Sequence, residues 1–137
     1  MINSLGYLGG HNRIAFSAVT SSSSSYSGSS DVKFSTIITN VGNGFSHSTG
    51  LFTAPNAGVY VFEWSIRSYS GNNEYPGIYV NGKLMMVTHC YGYSSYYNSC
   101  SKTITLNLQK QDGVSIRSYS GTMYVAGTYS SFSGWML

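Results

Sequence analysis

The segment with the most distinctive side-chain chemistry lies between two cysteines, Cys90 and Cys100. Tyrosine rings offer flat amphipathic contact area, and Ser, Gly and Asn adapt their hydrogen bonds to a ligand, a composition typical of antibody paratopes. Tyrosine rings also stack on the apolar faces of sugar rings, while hydroxyls and amides bond to sugar hydroxyls. The segment therefore predicts a binding surface for a neutral polysaccharide such as mannan. Its candidate ligand-binding residues are Tyr91, Tyr93, Tyr96, Tyr97 and Asn98.

A second stretch, 68–75, has the same chemistry and adds an acid, Glu74. Its candidate ligand-binding residues are Tyr69, Asn72, Asn73 and Tyr75. Arg67 and Arg117 are candidates for binding carboxylates or phosphates, because guanidinium groups pair with both. Two simpler interpretations stay open. Alternate tyrosines can pack on a neighbouring sheet or subunit, and each arginine can be an ordinary solvated residue at a strand end.

The two cysteines also allow two interpretations. A closely spaced pair suits a disulfide in an extracellular setting, and closing so small a ring would stabilise the fold by about 3 kcal/mol. Two buried free thiols of a cytosolic protein are the alternative. A disulfide at the base of the tyrosine-rich segment would reduce the ordering entropy that is lost on binding.

The chain has few groups that could do covalent chemistry or hold a metal ion. Its acids and histidines are Asp31, Glu63, Glu74, Asp112, His11, His47 and His89. No Gly-x-Ser-x-Gly elbow occurs, and two catalytic carboxylates would have to come from widely separated acids. His89 and Cys90 are neighbours in an extended segment and point to opposite faces, and no zinc or calcium spacing is present. The sequence predicts a protein that is not an enzyme and has no cofactor.

Composition argues against a nucleic-acid partner and against insertion into a membrane. Charged residues make up only 8% of the 137 residues, and the formal net charge is +3. The basic residues are scattered along the chain, whereas duplex binding needs clustered cations. No apolar run approaches the ~20 residues of a membrane span.

Almost every segment predicts a β-strand, because Ser, Thr, Val, Tyr and Gly dominate and strong helix formers are rare. Apolar and polar residues alternate in 58–66 and 103–108, which is typical of strands with one buried face. Asn81-Gly82 predicts a hairpin turn. Further strands are predicted at 14–19, 32–39, 78–80, 83–86, 114–118, 123–125 and 131–137, with a flexible serine-rich loop at 21–30. Many short strands without helices indicate a β-sandwich or barrel.

One heptapeptide occurs twice in the chain. Residues 65–71 and 115–121 both read Ser-Ile-Arg-Ser-Tyr-Ser-Gly. Two copies are too few for a solenoid. We interpret them as two strand ends in similar environments, and a chance match in a chain rich in Ser and Tyr is the alternative.

A spaced set of aromatic, Asn and Gly residues carries a family resemblance. Its members are Phe34, Asn40, Phe45, Phe52, Gly58, Tyr60, Phe62 and Trp64. Their order and spacing resemble the signature of the globular C1q domain family, which is related in fold to the tumour necrosis factor ligands. Trp64 departs from the Phe or Tyr of the family but keeps an aromatic ring. Segments 14–18, 52–60, 80–82 and 132–137 are similar to further parts of the family's fold.

The resemblance implies an all-β, ten-stranded antiparallel jelly-roll β-sandwich of two five-stranded sheets, assembled as a compact homotrimer. It covers 12–137 and leaves 1–11 as an N-terminal tail. A stalkless member of the invertebrate innate-immune type would be a secreted pattern-recognition lectin for microbial or cell-surface glycans. The alternative is a secreted trimeric signalling ligand for a protein receptor. Some family members hold calcium at the trimer apex, where a loop acid such as Glu74 could contribute.

Overall fold

The computed structural model describes residues 13–92 and 97–137, so the predicted tail, 1–11, lies outside the described residues. Within those two ranges the chain forms eleven β-strands and no helix, which agrees with the all-β prediction. The strands are β1 (Ala15–Val19), β2 (Ser24–Tyr26), β3 (Thr36–Val41), β4 (Phe52–Thr53), β5 (Gly58–Ser68), β6 (Pro76–Val80), β7 (Lys83–Val87), β8 (Asn98–Leu108), β9 (Gly113–Ser118), β10 (Met123–Val125) and β11 (Ser131–Met136).

The described strands form two antiparallel sheets of unequal size. The larger sheet has seven strands in the order β2-β10-β5-β11-β1-β3, with β8 paired to β5, and the smaller sheet has the four strands β4-β9-β6-β7. The division therefore differs from the two sheets of five that the resemblance implied. The short strands β2 and β10, which join through one pairing of Val125 with Ser68, account for the two extra strands of the larger sheet. The smaller sheet has one strand fewer than the resemblance implied.

The serine-rich segment 21–30, predicted as a flexible loop, contains a strand. β2 pairs with β10 in an antiparallel register that sets Tyr26 opposite Met123. Ladder hydrogen bonds are made by backbone groups, so a serine-rich strand can pair as well as another. The loop prediction was wrong for these three residues, because composition does not reveal a partner strand far along the chain.

The segment before β3 also differs from its prediction. The strand expected at 32–39 begins only at Thr36. Val32 and Phe34 are fully buried, but Val32 donates its N–H to Ile116 O at 2.8 Å, which belongs to β9 of the smaller sheet. The two side chains are thus buried in the core, while the backbone crosses from one sheet to the other.

β5 is the strand around which the larger sheet is arranged. β8 pairs with it from Gly58 to Ser68, which explains why β8 starts at Asn98, earlier than the strand predicted from 103. The side chains of Tyr60, Phe62 and Trp64 have 0% exposure, as their alternation predicted. Burying an aromatic side chain contributes roughly 1.5–3 kcal/mol. One face of β5 thus supplies the centre of the core.

The signature aromatics meet between the two sheets. The Phe16 ring stacks on Phe45 and on Phe52, each with ring centroids 4.9 Å apart. Phe52 in turn meets Phe62 edge-on at 5.6 Å. Such pairs add about 0.5–1.5 kcal/mol beyond the area they bury. The spacing behind the family resemblance is therefore the spacing of one aromatic core.

The two non-aromatic signature residues shape the backbone around that core. Asn40 Nδ2 donates to Phe45 O (2.9 Å), and Asn40 Oδ1 accepts from Phe45 N (3.1 Å). This reciprocal pair closes the turn after β3 and directs Phe45 inward. Gly58 opens β5 at a point where an added Cβ would lie 2.8 Å from Met136 Cε.

We expect Asn40→Ala to lower the free energy of unfolding by about 1–3 kcal/mol, because two hydrogen bonds worth roughly 0.5–1.5 kcal/mol each are lost. Urea unfolding measures the change. Asn107→Ala, an exposed position on β8, is the control and should shift stability by less than about 0.5 kcal/mol. Equal unfolding midpoints for wild type and Asn40→Ala would show that this turn does not depend on the asparagine.

Candidate functional site

The loop after β5, residues 69–75, is organised by a buried acid. Glu74 has 0% exposure, and its Oε2 accepts hydrogen bonds from Ser70 Oγ (2.7 Å) and Tyr124 N (3.0 Å). Gly71 turns the chain with a φ of 75°, a backbone conformation that favours glycine. The carboxylate holds the loop from inside. Glu74 is therefore not placed as a surface calcium ligand, contrary to the sequence expectation.

The same loop is joined to the segment that precedes β8. Glu74 and Cys90 exchange both of their backbone hydrogen bonds, at 3.0 and 2.8 Å. Asn73 Oδ1 accepts from Gly92 N (2.8 Å) and lies 2.9 Å from His89 Nε2, which donates to it. An added Cβ at Gly92 would lie 2.6 Å from Asn73 N, so this approach requires glycine. Two stretches that the sequence marked as separate surfaces thus form one.

Three rings form a row on this surface, and we call Tyr75, His89 and Tyr91 the ring row. Tyr75 and His89 stack with centroids 5.0 Å apart and 14° between their planes, and His89 meets Tyr91 edge-on at 5.4 Å. Tyr91 is 54% exposed. His89 was not among the predicted binding residues. Its signal was its place beside Cys90, because adjacent residues of an extended chain point to opposite faces.

Cys90 and Cys100 form a disulfide, with their Cα atoms 4.9 Å apart. Cys90 is fully buried and Cys100 belongs to β8, so the bond fastens the end of the ring row to the larger sheet. Asn98 Nδ2 also donates to Tyr91 O, which adds a second tie across the same gap. Two predicted binding residues, Tyr93 and Tyr96, lie outside the described residues.

Arg67, on the outward face of β5, lies against two tyrosines. Its guanidinium carbon is 5.2 Å from the Tyr97 ring centroid and 4.7 Å from that of Tyr129. The two rings are 55% and 62% exposed, respectively. Tyr129 was missed by the sequence analysis, and no local pattern marked it. Because Asn98 follows Tyr97 and bonds to Tyr91, the Arg67 cluster adjoins the ring row.

Two predicted residues, Arg117 and Tyr69, belong neither to the ring row nor to the Arg67 cluster. Arg117, on β9 of the smaller sheet, donates from Nε to Asp31 Oδ1 at 2.6 Å and stacks on Tyr79 at 5.3 Å. Burial raises the pKa of Tyr79, and the positive charge of Arg117 offsets part of that rise. The ring of Tyr69 packs edge-on against another tyrosine, Tyr124, at 5.6 Å, which fits the packing interpretation for that residue.

The groups on this surface can bind a ligand through reversible, non-covalent contacts. The surface offers ring faces, the exposed side chains of Asn72 and Asn73, and one guanidinium group. Across 13–92 and 97–137, no group of three or more His, Cys, Asp or Glu is placed to hold a metal ion. The same part of the chain contains no helix that is long and apolar enough to cross a membrane.

Comparison with known families agrees with this architecture, because the model of the C1q domain matches residues 15–137. The chain belongs to the C1q domain family. The proteins named Complement C1q tumor necrosis factor-related protein 3 from Homo sapiens and Mus musculus are each 32% identical to it over 110 residues. That match covers 79% of this chain and 45% of each relative, so the C1q-domain chain spans less than half of their length.

Solved structures share the fold of this C1q domain. The globular domain of zebrafish complement 1qA superposes with a TM-score of 0.77 at 20% identity, over 92% of this chain and 98% of that chain. Eiger TNF from S. frugiperda gives a TM-score of 0.76 at 15% identity, over 91% of this chain and 92% of that chain. These likenesses confirm the antiparallel jelly-roll prediction.

We expect Asn73→Ala to loosen the contact at Gly92, because it removes the oxygen that accepts from Gly92 N and His89, while the Glu74–Cys90 backbone pair still joins the two halves of the site. Hydrogen exchange of the Gly92 amide should become at least roughly tenfold faster as that contact opens more often. Asn72→Ala is the matched control, since the Asn72 side chain makes no hydrogen bond within the described residues. Identical exchange in both variants would contradict this account of the site.

Proposed function

We propose that this C1q domain is an extracellular pattern-recognition lectin, a binding module without enzymatic activity that takes microbial or cell-surface glycans such as mannan-type chains. The ring row carries the proposal, because it sets aromatic faces beside the amides of Asn72 and Asn73. The disulfide supports an extracellular location, since such bonds persist in oxidising compartments.

Sugar recognition needs an apolar platform and polar groups at its edge. The exposed ring of Tyr91 can lie under the apolar face of a sugar ring. The Asn72 amide can both donate to and accept from sugar hydroxyls. Because the disulfide and the Asn73 hydrogen bonds already fix this segment, little conformational entropy is lost when a ligand binds.

A glycan array, run with and without calcium, tests this function. We expect Tyr91→Ala to weaken mannan binding roughly tenfold, since contact with an aromatic ring contributes on the order of 1.5 kcal/mol or more. Tyr119→Ala is the matched control, because Tyr119 is 55% exposed and Tyr91 54%, and Tyr119 lies in a separate cleft beside Arg117. No binding above background under either condition would overturn the lectin function.

The outward face of the larger sheet supports assembly as the homotrimer of this family. Strand register aligns four apolar residues in one row across that face. They are Val41, Ala15, Trp135 and Val61. Trp135 is 42% exposed and Val41 48%, and an apolar patch of this kind suits burial against another copy. Three weak glycan sites on one rigid body would act together and raise avidity.

We expect Trp135→Glu to convert the trimer to monomer, because the substitution would bury a charge without a partner. Light scattering coupled to size-exclusion chromatography reads out the mass. Met85→Glu, at an equally exposed apolar position of the smaller sheet (43% against 42%), should leave the trimer intact. A monomeric wild-type protein, or an unchanged Trp135→Glu trimer, would rule out this interface.

A second candidate function is that of a signalling ligand for a protein receptor. A cleft of about 530 Å³ between β7 and β8 favours it. The apolar lining includes Val80, Met85, Leu106 and Leu108. Within this lining Met85 is 43% exposed, while Leu106 and Leu108 are buried. An exposed apolar side chain in a cleft suits a protein partner better than a sugar. Cell binding that free mannan does not displace, and that Met85→Glu abolishes, would favour this function over the first.

A further inference from the structure

The repeated heptapeptide builds the same local structure in both sheets. One copy ends β5 of the larger sheet, and the other ends β9 of the smaller sheet. The equivalent serines, Ser68 and Ser118, are buried at 1% and 5% exposure. The equivalent glycines, Gly71 and Gly121, turn the chain with φ values of 75° and 68°. The repeat is therefore a structural unit that presents one arginine from each sheet.

Each of the two arginines lies over a tyrosine ring, but only one of them forms an ion pair in the described chain. Arg117 donates to Asp31, which also accepts from Ser115 Oγ at 2.7 Å. Arg67 forms no ion pair within the part of the chain that the structure describes. The charge of Arg117 is thus neutralised by Asp31, whereas Arg67 can pair with an anionic group of a ligand.

The Arg67 guanidinium lies over the rings of Tyr97 and Tyr129. Their centroids lie 5.2 and 4.7 Å from its central carbon, distances at which a cation is attracted to an aromatic face. Arg67 Nε is buried and has no hydrogen-bond partner in the described chain, so the terminal Nη groups are the donors left for a ligand.

The surroundings of Arg67 are rich in hydroxyl groups and poor in acids. Strand register places Ser99 directly opposite Arg67. The next row of the same face contains Ser131, Ser65 and Ser101. The nearest acid on this face of β5 is Glu63, about 13 Å along the strand by its rise per residue. Hydroxyls add donors without adding negative charge, which favours an anion.

We propose that Arg67 is an anion subsite of the glycan-binding surface and takes the carboxylate or sulfate group of an acidic sugar. The inference rests on the proposed lectin function and adds that the lectin prefers a glycan with an acidic substituent beside the ring row. A guanidinium group binds either anion through two parallel N–H bonds. Contact with the Tyr97 and Tyr129 rings restrains the guanidinium before the ligand arrives, so less entropy is lost on binding.

The subsite stays accessible in the proposed trimer. Arg67 and Val61 are on the same face of β5 but about 20 Å apart, by the rise of a strand. The apolar row therefore covers one end of this face, and the Arg67 cluster with its serine neighbours lies at the other.

Three oligosaccharides that share one neutral backbone test the subsite. They are N-acetyllactosamine, its sulfate ester and its sialylated form, so the two acidic forms distinguish a sulfate from a carboxylate. We expect wild type to bind at least one acidic form roughly tenfold tighter than the neutral form, the gain of one charge-assisted contact. Arg67→Lys should lose that ratio and keep its affinity for the neutral form, whereas Arg117→Lys should keep both. Equal ratios in wild type and Arg67→Lys would overturn the proposal.

Titration with inorganic sulfate separates this proposal from the lectin function. In wild type at low ionic strength, we expect saturable amide shifts at Ser99 and Ser131 that are absent in Arg67→Lys. If sulfate saturates these shifts while no neutral glycan binds, the lectin function fails and the anion subsite stands. If neutral glycans bind but sulfate produces no saturable shift and acidic forms show no preference, the subsite fails alone.

Discussion

The two-residue period of β5 is the constraint on which the rest of this structure depends. One set of alternate residues, Tyr60, Phe62 and Trp64, is buried between the sheets. The other set points away from the core and carries Val61 at one end and Arg67 at the other. A slip of one residue would exchange the two sets and expose the aromatics. The same alternation therefore fixes the core, the apolar outward patch and the position of the cation.

The candidate site is rigid because three different interactions converge on a short piece of chain. Glu74 holds its loop through a buried carboxylate, the Cys90–Cys100 disulfide ties the neighbouring segment to β8, and Asn73 bonds the two together. A disulfide across so short a loop contributes on the order of 3 kcal/mol. Glu74 and Cys90 are buried, whereas the rings of Tyr91 and Tyr97 are exposed to solvent.

Alternation and turn chemistry made much of the fold predictable from the sequence. The buried face of β5 and the Asn81-Gly82 hairpin, with φ values of 51° and 80°, follow from local patterns. The pairing of β2 with β10 and the crossing at Val32 did not, because each depends on a partner strand that is distant in the sequence. The alternation of apolar and polar side chains predicts which face of a strand is buried. It does not predict which strand pairs with it.

The site was predictable in composition but not in assembly. Tyr75, Asn73, Tyr91 and Asn98 were marked as contact residues by their types alone. Their union into one surface depends on the Glu74–Cys90 backbone pair, which no local pattern indicates. For the same reason Tyr129 was missed and Arg117 was grouped with residues of the other sheet. Both depend on how the ends of distant strands meet.

The serine rows around Arg67 have a consequence for where such a surface can work. Water and ligands meet it chiefly through uncharged hydroxyls, and dissolved ions do not screen contacts of that kind as they screen attraction between exposed charges. Such a patch keeps its hydrogen bonds between uncharged groups when the ionic strength of the surrounding fluid rises. Only the contribution of its single guanidinium would rise and fall with the salt content of that fluid.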